Sequence, residues 1–354
     1  MLYGSEGIGH GGMVIMSGSV GIGEAHINYK AYLSARVSIR KGHLILGGLF
    51  FIFLFLDVFA GADQHIPDKR TFRPSLTEIK NISRLVPVEY QNDVISALRK
   101  SGRNGWELMD AIKDVTLQQR EGAAFLIANM PGRDLVALRA SFLSENTRLA
   151  YQAMDEIPWG HDIPKDIFLN DILPYATLNE RRDMWRDDFH QRFIKIARES
   201  KTIDEAVKAL NIYVFSTLQV SYNATKRPKP DQSPYDSTQA HYASCTGLSI
   251  LLTDALRSVG IPARIAAIAM WPDESGNHTW VEIWDGQWHY IGASEPTPFD
   301  HTWFTIKASQ ANEHYPIYAS SFKKTNQSFP MRWAPDLKFV PAVDVTQKYA
   351  RLQK

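Results

Sequence analysis

Between about Leu76 and Leu218, apolar residues recur at three- and four-residue intervals, the period of a helix with one buried face. Trp185, Phe189, Phe193 and Ile196/Ala197 keep that spacing, and Ala206, Leu210 and Val214 mark a second stripe. Each stripe follows a start signal. Thr177-Leu-Asn-Glu180 and Thr202-Ile-Asp-Glu205 both read as capping boxes, in which a hydroxyl and a carboxylate take up backbone N–H groups at the helix start. Pro158, Pro164 and Pro174 break the segment between helices. The aromatic stripes are expected to be core.

The pattern changes after the Pro- and Ser-rich connector KRPKPDQSPYDS, residues 226–237. Leu248, Leu252, Ala255 and Val259 predict a helix from about Thr246 to Ser258, with Gly260 at its stop and Pro262 beyond. Ile261–Met270 reads as a buried strand, and the polar loop PDESGN leads into an aromatic, β-branched run from His278 to Trp284. Asp285-Gly286 is a two-residue hairpin signal, with Gln287–Ile291 as the returning strand. Helix, strand and hairpin together predict an α+β unit. In the two-residue register Trp284 pairs with Gln287 and His278 faces Ala293. Glu295 is then the diagonal neighbour of His278, roughly 7 Å away between Cβ atoms.

Nearer the start of the chain, Arg40 and Lys41 precede an apolar run, LILGGLFFIFLFL, from Leu44 to Leu56, and Ala60-Gly61-Ala62 follows. Charge, short apolar run and small-x-small site are the parts of a cleaved signal peptide. Thirteen apolar residues are too few for a comfortable permanent span. The Gly-rich stretch before it has no sustained period, and a translation start nearer Val37 would explain it. The GIGHGG segment at Gly7–Gly12 has no strand before it, so a phosphate loop is not expected there.

Composition adds limits. The chain has 354 residues, 44% of them hydrophobic and 22% charged, within the ordinary globular range. The net charge is +1, with no cluster of Lys and Arg among aromatics, so no nucleic-acid partner is expected. The 11 histidines form no HExxH and no metal-spaced pair. Neither a metal nor another cofactor is expected. The chain has one cysteine, so it forms no internal disulfide and offers no lipid-anchor cysteine after the signal.

That cysteine, Cys245, falls at the start of the predicted helix. Unpaired N–H groups and the helix dipole favour an anion there, and the thiolate is the attacking form of a cysteine. His278 opens the following hairpin after a Gly-containing loop, a place suited to a base at a cleft edge. Glu295 is the residue within reach to hold its imidazole, as the acidic member of a triad does.

Ser244-Cys245-Thr246 opening a helix, Gly260-Ile-Pro-Ala-Arg264 after it, and His278-Thr-Trp-Val-Glu-Ile-Trp284 together resemble the transglutaminase-like superfamily core. The resemblance covers about Tyr235–Trp303. Glu295-Pro296, Trp303-Phe304, the ILPY run at Ile172–Tyr175 and Trp185-Arg186 resemble a bacterial exported branch with an N-terminal helical region. The resemblance implies a papain-like fold: a helix carrying Cys packed on an antiparallel sheet carrying His, preceded by a mainly helical domain. It implies Cys245 as nucleophile and His278 as general base. One departure is plain. In the family an Asp commonly follows a Trp and a short apolar pair on the strand after the His. Here Trp288-His-Tyr-Ile leads to Gly292-Ala293. Glu295 or Asp300 would have to supply the acid, or the site is a dyad.

The domain reading is 1–36 as an extension, 37–62 as signal peptide, 63–225 as helical domain, 226–305 as catalytic core and 306–354 as a C-terminal tail. The expected function is an exported thiol enzyme acting on amide or peptide bonds of a peptide or protein, cell-wall peptide among them. No stable membrane anchor is expected once the signal is removed. The alternative is an inactive binding module for peptide or cell-wall glycan. Gln239 and Tyr242 are positional candidates for the oxyanion hole, and Trp280 for the cleft wall.

Overall fold

The computed structural model describes residues 72–353. The signal peptide, the stretch before it and the GIGHGG segment lie outside the described residues. Helices fill the first half: α1 (Leu76–Ser83), α2 (Val88–Lys100), α3 (Gly105–Asp114), α4 (Arg120–Asn129), α5 (Gly132–Leu135), α6 (Ala140–Glu156), α7 (Lys165–Ile167), α8 (Trp185–Glu199) and α9 (Ile203–Leu218). There follow β1 (Ser221–Tyr222), α10 (Pro234–Ala240), β2 (Tyr242–Ala243), α11 (Cys245–Ser258), β3 (Ala263–Ile268), β4 (His278–Trp284) and β5 (Trp288–Ile291). The chain closes with α12 (Thr305–Ser309), β6 (Ile317–Ser320), β7 (Gln327–Ser328), β8 (Pro341–Asp344) and α13 (Thr346–Ala350). Among the described residues no helix is long and apolar enough to cross a membrane.

The capping signals have different outcomes. Thr202 caps α9 as expected, its hydroxyl accepting the Glu205 N–H at 3.2 Å. Glu180 accepts the N–H groups of Thr177 and Leu178 at 2.6 and 2.8 Å, yet no helix follows. The chain runs on irregularly to Trp185, where α8 begins. Arg182 explains the detour. Its guanidinium bonds Asp134 at 3.0 Å and the Glu180 carbonyl at 2.8 Å, which holds the segment against the first helices.

One core lies among the early helices, with Leu108, Ile112, Leu126, Leu143 and Ile172 at its centre. A second joins α8 and α9 to α11 and the sheet through Phe189, Phe193, Leu210, Val214, Leu248, Leu252 and Val281. Arg186 of α8 bridges the two. It donates to Asn146 at 2.7 Å and to the carbonyls of Ile172, Pro174 and Arg257 at 2.9 Å. Complete burial, with Arg257 close by, lowers its pKa to about 9.

The six-stranded sheet has the order β5-β4-β3-β6-β8-β7 and is antiparallel throughout. β3 is buried on both faces, which is why its sequence is apolar rather than alternating apart from Arg264, whose charge is met by Glu282. Ile265 and Ala267 share a cluster with Ile250 of α11, while Ala266 and Ile268 face Trp280, Tyr290 and Phe304. Gly260 turns the chain from α11 into β3 at φ +74°, and a side chain there would strike Ile157.

The hairpin register departs from expectation by one residue. Trp284 pairs with Trp288, not Gln287, through a three-residue turn closed by Asp285 N–H donating to Gln287 O at 3.1 Å. Packing decides this. The observed register puts Val281 and Ile291 together on the α11 face and Glu282 and Tyr290 together on the other. A one-residue slip would exchange those faces. The ladder ends at Ile291, so Glu295 is not a diagonal strand neighbour of His278.

Residues 306–354, expected as a tail, add three strands and a helix to the sheet. Strand pairing holds β6, β7 and β8, and fully buried Glu282 of β4 ties α13 in. It meets Arg264 at 2.7 Å, Lys348 at 2.7 Å and the Tyr349 hydroxyl at 2.9 Å.

Candidate active site

A cleft of about 360 Å³ opens where the start of α11 meets the start of β4, and Cys245, His278, Glu295, Trp303, Tyr222 and Asn277 line it. Cys245 is partly exposed and unpaired. Ser244 before it is extended and makes no side-chain cap, and its hydroxyl is buried without a partner among the described residues. The first-turn N–H groups of α11 are therefore not taken up by the N-cap side chain, the arrangement that favours an anion.

His278 is only 8% exposed. The rings of Trp303 and Phe304 each lie 4.8 Å from its imidazole, with Trp280 at 5.9 Å and Trp271 at 6.2 Å. Its Nε2 is buried and has no hydrogen-bond partner among the described residues. Burial lowers its pKa to about 4, so the imidazole is neutral at pH 7. Cys245 and His278 are fixed relative to each other by their chain neighbours. Thr246 and Thr279 join hydroxyls at 3.1 Å, and Ser249 donates to the Thr279 carbonyl at 3.3 Å.

Glu295 reaches the cleft from a turn rather than from the strand. Its Oε1 accepts the indole N–H of Trp303 at 3.0 Å, and it makes no hydrogen bond to His278. Burial raises its pKa, and the Trp303 hydrogen bond offsets part of that. Asp300, the other candidate acid, is engaged elsewhere. It accepts from His289 Nδ1 at 2.6 Å and from the Tyr290 N–H at 3.0 Å.

Three further expectations are not met. Gln239 is exposed on α10 and does not line the cleft. Tyr242 lies on β2 beneath the Lys226 ammonium, its carbonyl bonded by Gln232 at 2.9 Å. Trp280 is fully buried behind His278 and donates to the Tyr349 hydroxyl at 2.7 Å, so it supports the base and forms no part of the wall. Sequence reasoning passed over Tyr222, Asn277 and Asn211. For Asn211 a signal existed: it falls in the buried stripe of α9, where a polar side chain must find partners. No group of three or more His, Cys, Asp or Glu among the described residues could hold a metal.

Residues 191–293 match the sequence profile of the Transglutaminase-like superfamily. Over those residues the chain is similar to a transglutaminase-like core. The match takes in α9, α11 and β3 to β5, includes Cys245 and His278, and stops two residues short of Glu295. No curated protein matches the chain. Among solved structures, a candidate cysteine protease from Cytophaga hutchinsonii is similar over 39% of this chain and 45% of its own, with 18% identity and a TM-score of 0.31. The aligned part is thus less than half of that protein.

Proposed function

We propose that the chain is an exported thiol enzyme that acts on amide or peptide bonds of a peptide or protein. Cys245 Sγ attacks the carbonyl carbon while His278 takes the thiol proton. The tetrahedral intermediate collapses, the C–N bond breaks, and His278 returns the proton to the leaving amine. This leaves a thioester on Cys245. Water or a second amine then attacks the thioester, giving hydrolysis or acyl transfer, and Cys245 is regenerated. The observation that carries the proposal is that a helix-start thiol and a neutral, buried imidazole open into one cleft. An imidazole held near pKa 4 is a weak base by itself. The thiolate it creates, and a carboxylate such as Glu295 nearby, would stabilise the imidazolium that forms.

Incorporation of a fluorescent primary amine into casein, measured beside casein hydrolysis, tests this and separates the two outcomes. Wild type matching Cys245→Ala in both assays would remove the enzymatic reading. Export rests on the apolar run and small-residue site at 44–62, and the N-terminal sequence of secreted protein tests it. A mature end well upstream of Ala62 would overturn it.

One observation favours the second reading, a catalytically inactive binding module. Glu295 is bonded to Trp303 rather than to His278. If the Cys245 thiol reacts with iodoacetamide at pH 6 no faster than a free thiol, and His278→Ala changes nothing, this second reading is the better one.

A further inference from the structure

The turn that brings Glu295 to the cleft is built by one buried side chain. Asn211, on the buried face of α9, is 2% exposed. Its two amide donations go to the carbonyls of Gly292 and Glu295, both at 2.9 Å. Its Oδ1 accepts the Ser294 N–H at 2.8 Å. All three bonds therefore fall on one four-residue turn, which the Glu295 N–H closes onto the Gly292 carbonyl at 3.3 Å. Ser294 sits in the left-handed region at φ +65°, uncommon for a residue with a side chain, and Asn211 holds its N–H.

The turn returns the Glu295 side chain over the residue where it began. A Cβ on residue 292 would overlap the Glu295 carboxylate, so only glycine there leaves the acid its place. Ala293, Ser294 and Glu295 all line the cleft that Cys245 and His278 share. Of the carboxylate oxygens, Oε1 is held by Trp303, while Oε2 accepts no hydrogen bond among the described residues. Packing alone does not call for this arrangement. An apolar side chain at 211 would fill the same buried stripe without taking an amide out of water.

We infer that Asn211 and Gly292 are positioning residues, which together set the Glu295 carboxylate in the cleft where it supports the Cys245–His278 pair. The inference rests on the thiol-enzyme reading above. It assigns the missing strand acid to a turn, and the turn to a helix outside the cleft.

Cys245 is the only cysteine, so iodoacetamide alkylation reads this site alone. At pH 6 the full chain should react faster than a free thiol, and Glu295→Gln should slow it about tenfold, the effect of one pKa unit on the thiolate fraction. Asn211→Leu and Gly292→Ala should each slow it to within about twofold of Glu295→Gln, because each displaces the same carboxylate. Asn211→Leu added to Glu295→Gln should slow it no further, since residues acting as one unit are non-additive. The Gly292→Asp/Glu295→Ala double variant moves a carboxylate into the same volume. It should recover most of the rate, which keeps the idea testable if Asn211→Leu does not fold. A fast wild type with Asn211→Leu and Gly292→Ala also fast, or full additivity with Glu295→Gln, overturns this inference alone. A wild type no faster than a free thiol overturns the proposed function and this inference with it.

Discussion

The hydroxyls of Thr246 and Thr279 meet at 3.1 Å in the interior, one residue after Cys245 and one residue after His278. This pair, with the Ser249 hydroxyl on the Thr279 carbonyl, links the two elements that form the cleft. It ties the helix start that bears the thiol to the strand start that bears the imidazole. Thr279→Val keeps the shape and leaves the Thr246 hydroxyl buried without its partner. The expected loss is about 1–3 kcal/mol of stability. Alkylation of Cys245 at pH 6 should fall with it, and Thr279→Ser should restore both. Unchanged alkylation in a folded Thr279→Val protein would mean that the pair does not hold the site.

His278 makes stability depend on pH. Burial holds its pKa at about 4 against 6.5 for an ordinary histidine. Above 6.5 the residue is neutral folded or unfolded and contributes no slope. Between 6.5 and 4 the unfolded chain takes up a proton that the folded chain refuses, so stability falls as the pH falls. The full effect is on the order of 3 kcal/mol. Asp171 opposes it in part of the same window. Burial pushes its carboxyl up to about 6, so the folded state takes that proton first and gains stability as the pH falls. Comparing wild type with His278→Gln cancels the Asp171 effect. Melting temperatures from pH 7.5 to 4.5 should show the wild type losing several degrees relative to His278→Gln, and parallel curves would show that His278 is not buried neutral.

Trp303 is 57% exposed, yet its ring covers His278 and its N–H holds Glu295. The two roles can be separated. Trp303→Phe keeps a ring over the imidazole and drops the hydrogen bond. Trp303→Ala removes both and lets water reach the imidazole, which weakens the desolvation that lowers its pKa. A proton NMR titration of His278 should show its pKa rising from about 4 towards 6.5 in Trp303→Ala and changing little in Trp303→Phe. Equal shifts in both variants would assign the effect to the lost hydrogen bond instead.

Much of this site is written locally in the sequence. The stripe from Leu248 to Val259, the stop at Gly260 and the Asp285-Gly286 turn place Cys245 at a helix start and His278 at a strand start. Those signals depend on neighbours in the chain, and they survive folding. The hairpin register does not, because Asp-Gly serves two- and three-residue turns alike. What selects the longer turn is distant: Tyr290 packing on Tyr349 at 5.1 Å and Arg264 lying 3.7 Å over Trp288. The same holds for Glu295. Its place depends on Asn211, more than eighty residues earlier, and no spacing rule joins the two. The Thr177–Glu180 signal forms its contacts without a helix because Arg182 draws the chain towards Asp134, another long-range partner.

A buried charge holds α13 beside the last strands, and that makes the C-terminal segment testable as part of the core. Burial alone would raise the pKa of Glu282. The charges of Arg264 and Lys348, with hydrogen bonds from Lys348 and Tyr349, outweigh burial and hold it below the usual carboxylate range. Its contribution is therefore present above the unfolded pKa and is lost as the pH falls through the folded one. Glu282→Gln leaves Arg264 and Lys348 without their shared anion and should cost about 3–5 kcal/mol. Tyr349→Phe removes the acceptor of the Trp280 N–H and one donor to Glu282, for about 1–3 kcal/mol. Trp280 packs 5.9 Å from His278, so the damage should reach the cleft. Urea unfolding should show both losses in a single transition, with Cys245 alkylation falling in parallel. A separate early transition for the C-terminal strands, with alkylation unchanged, would show that they do not share the core that supports His278.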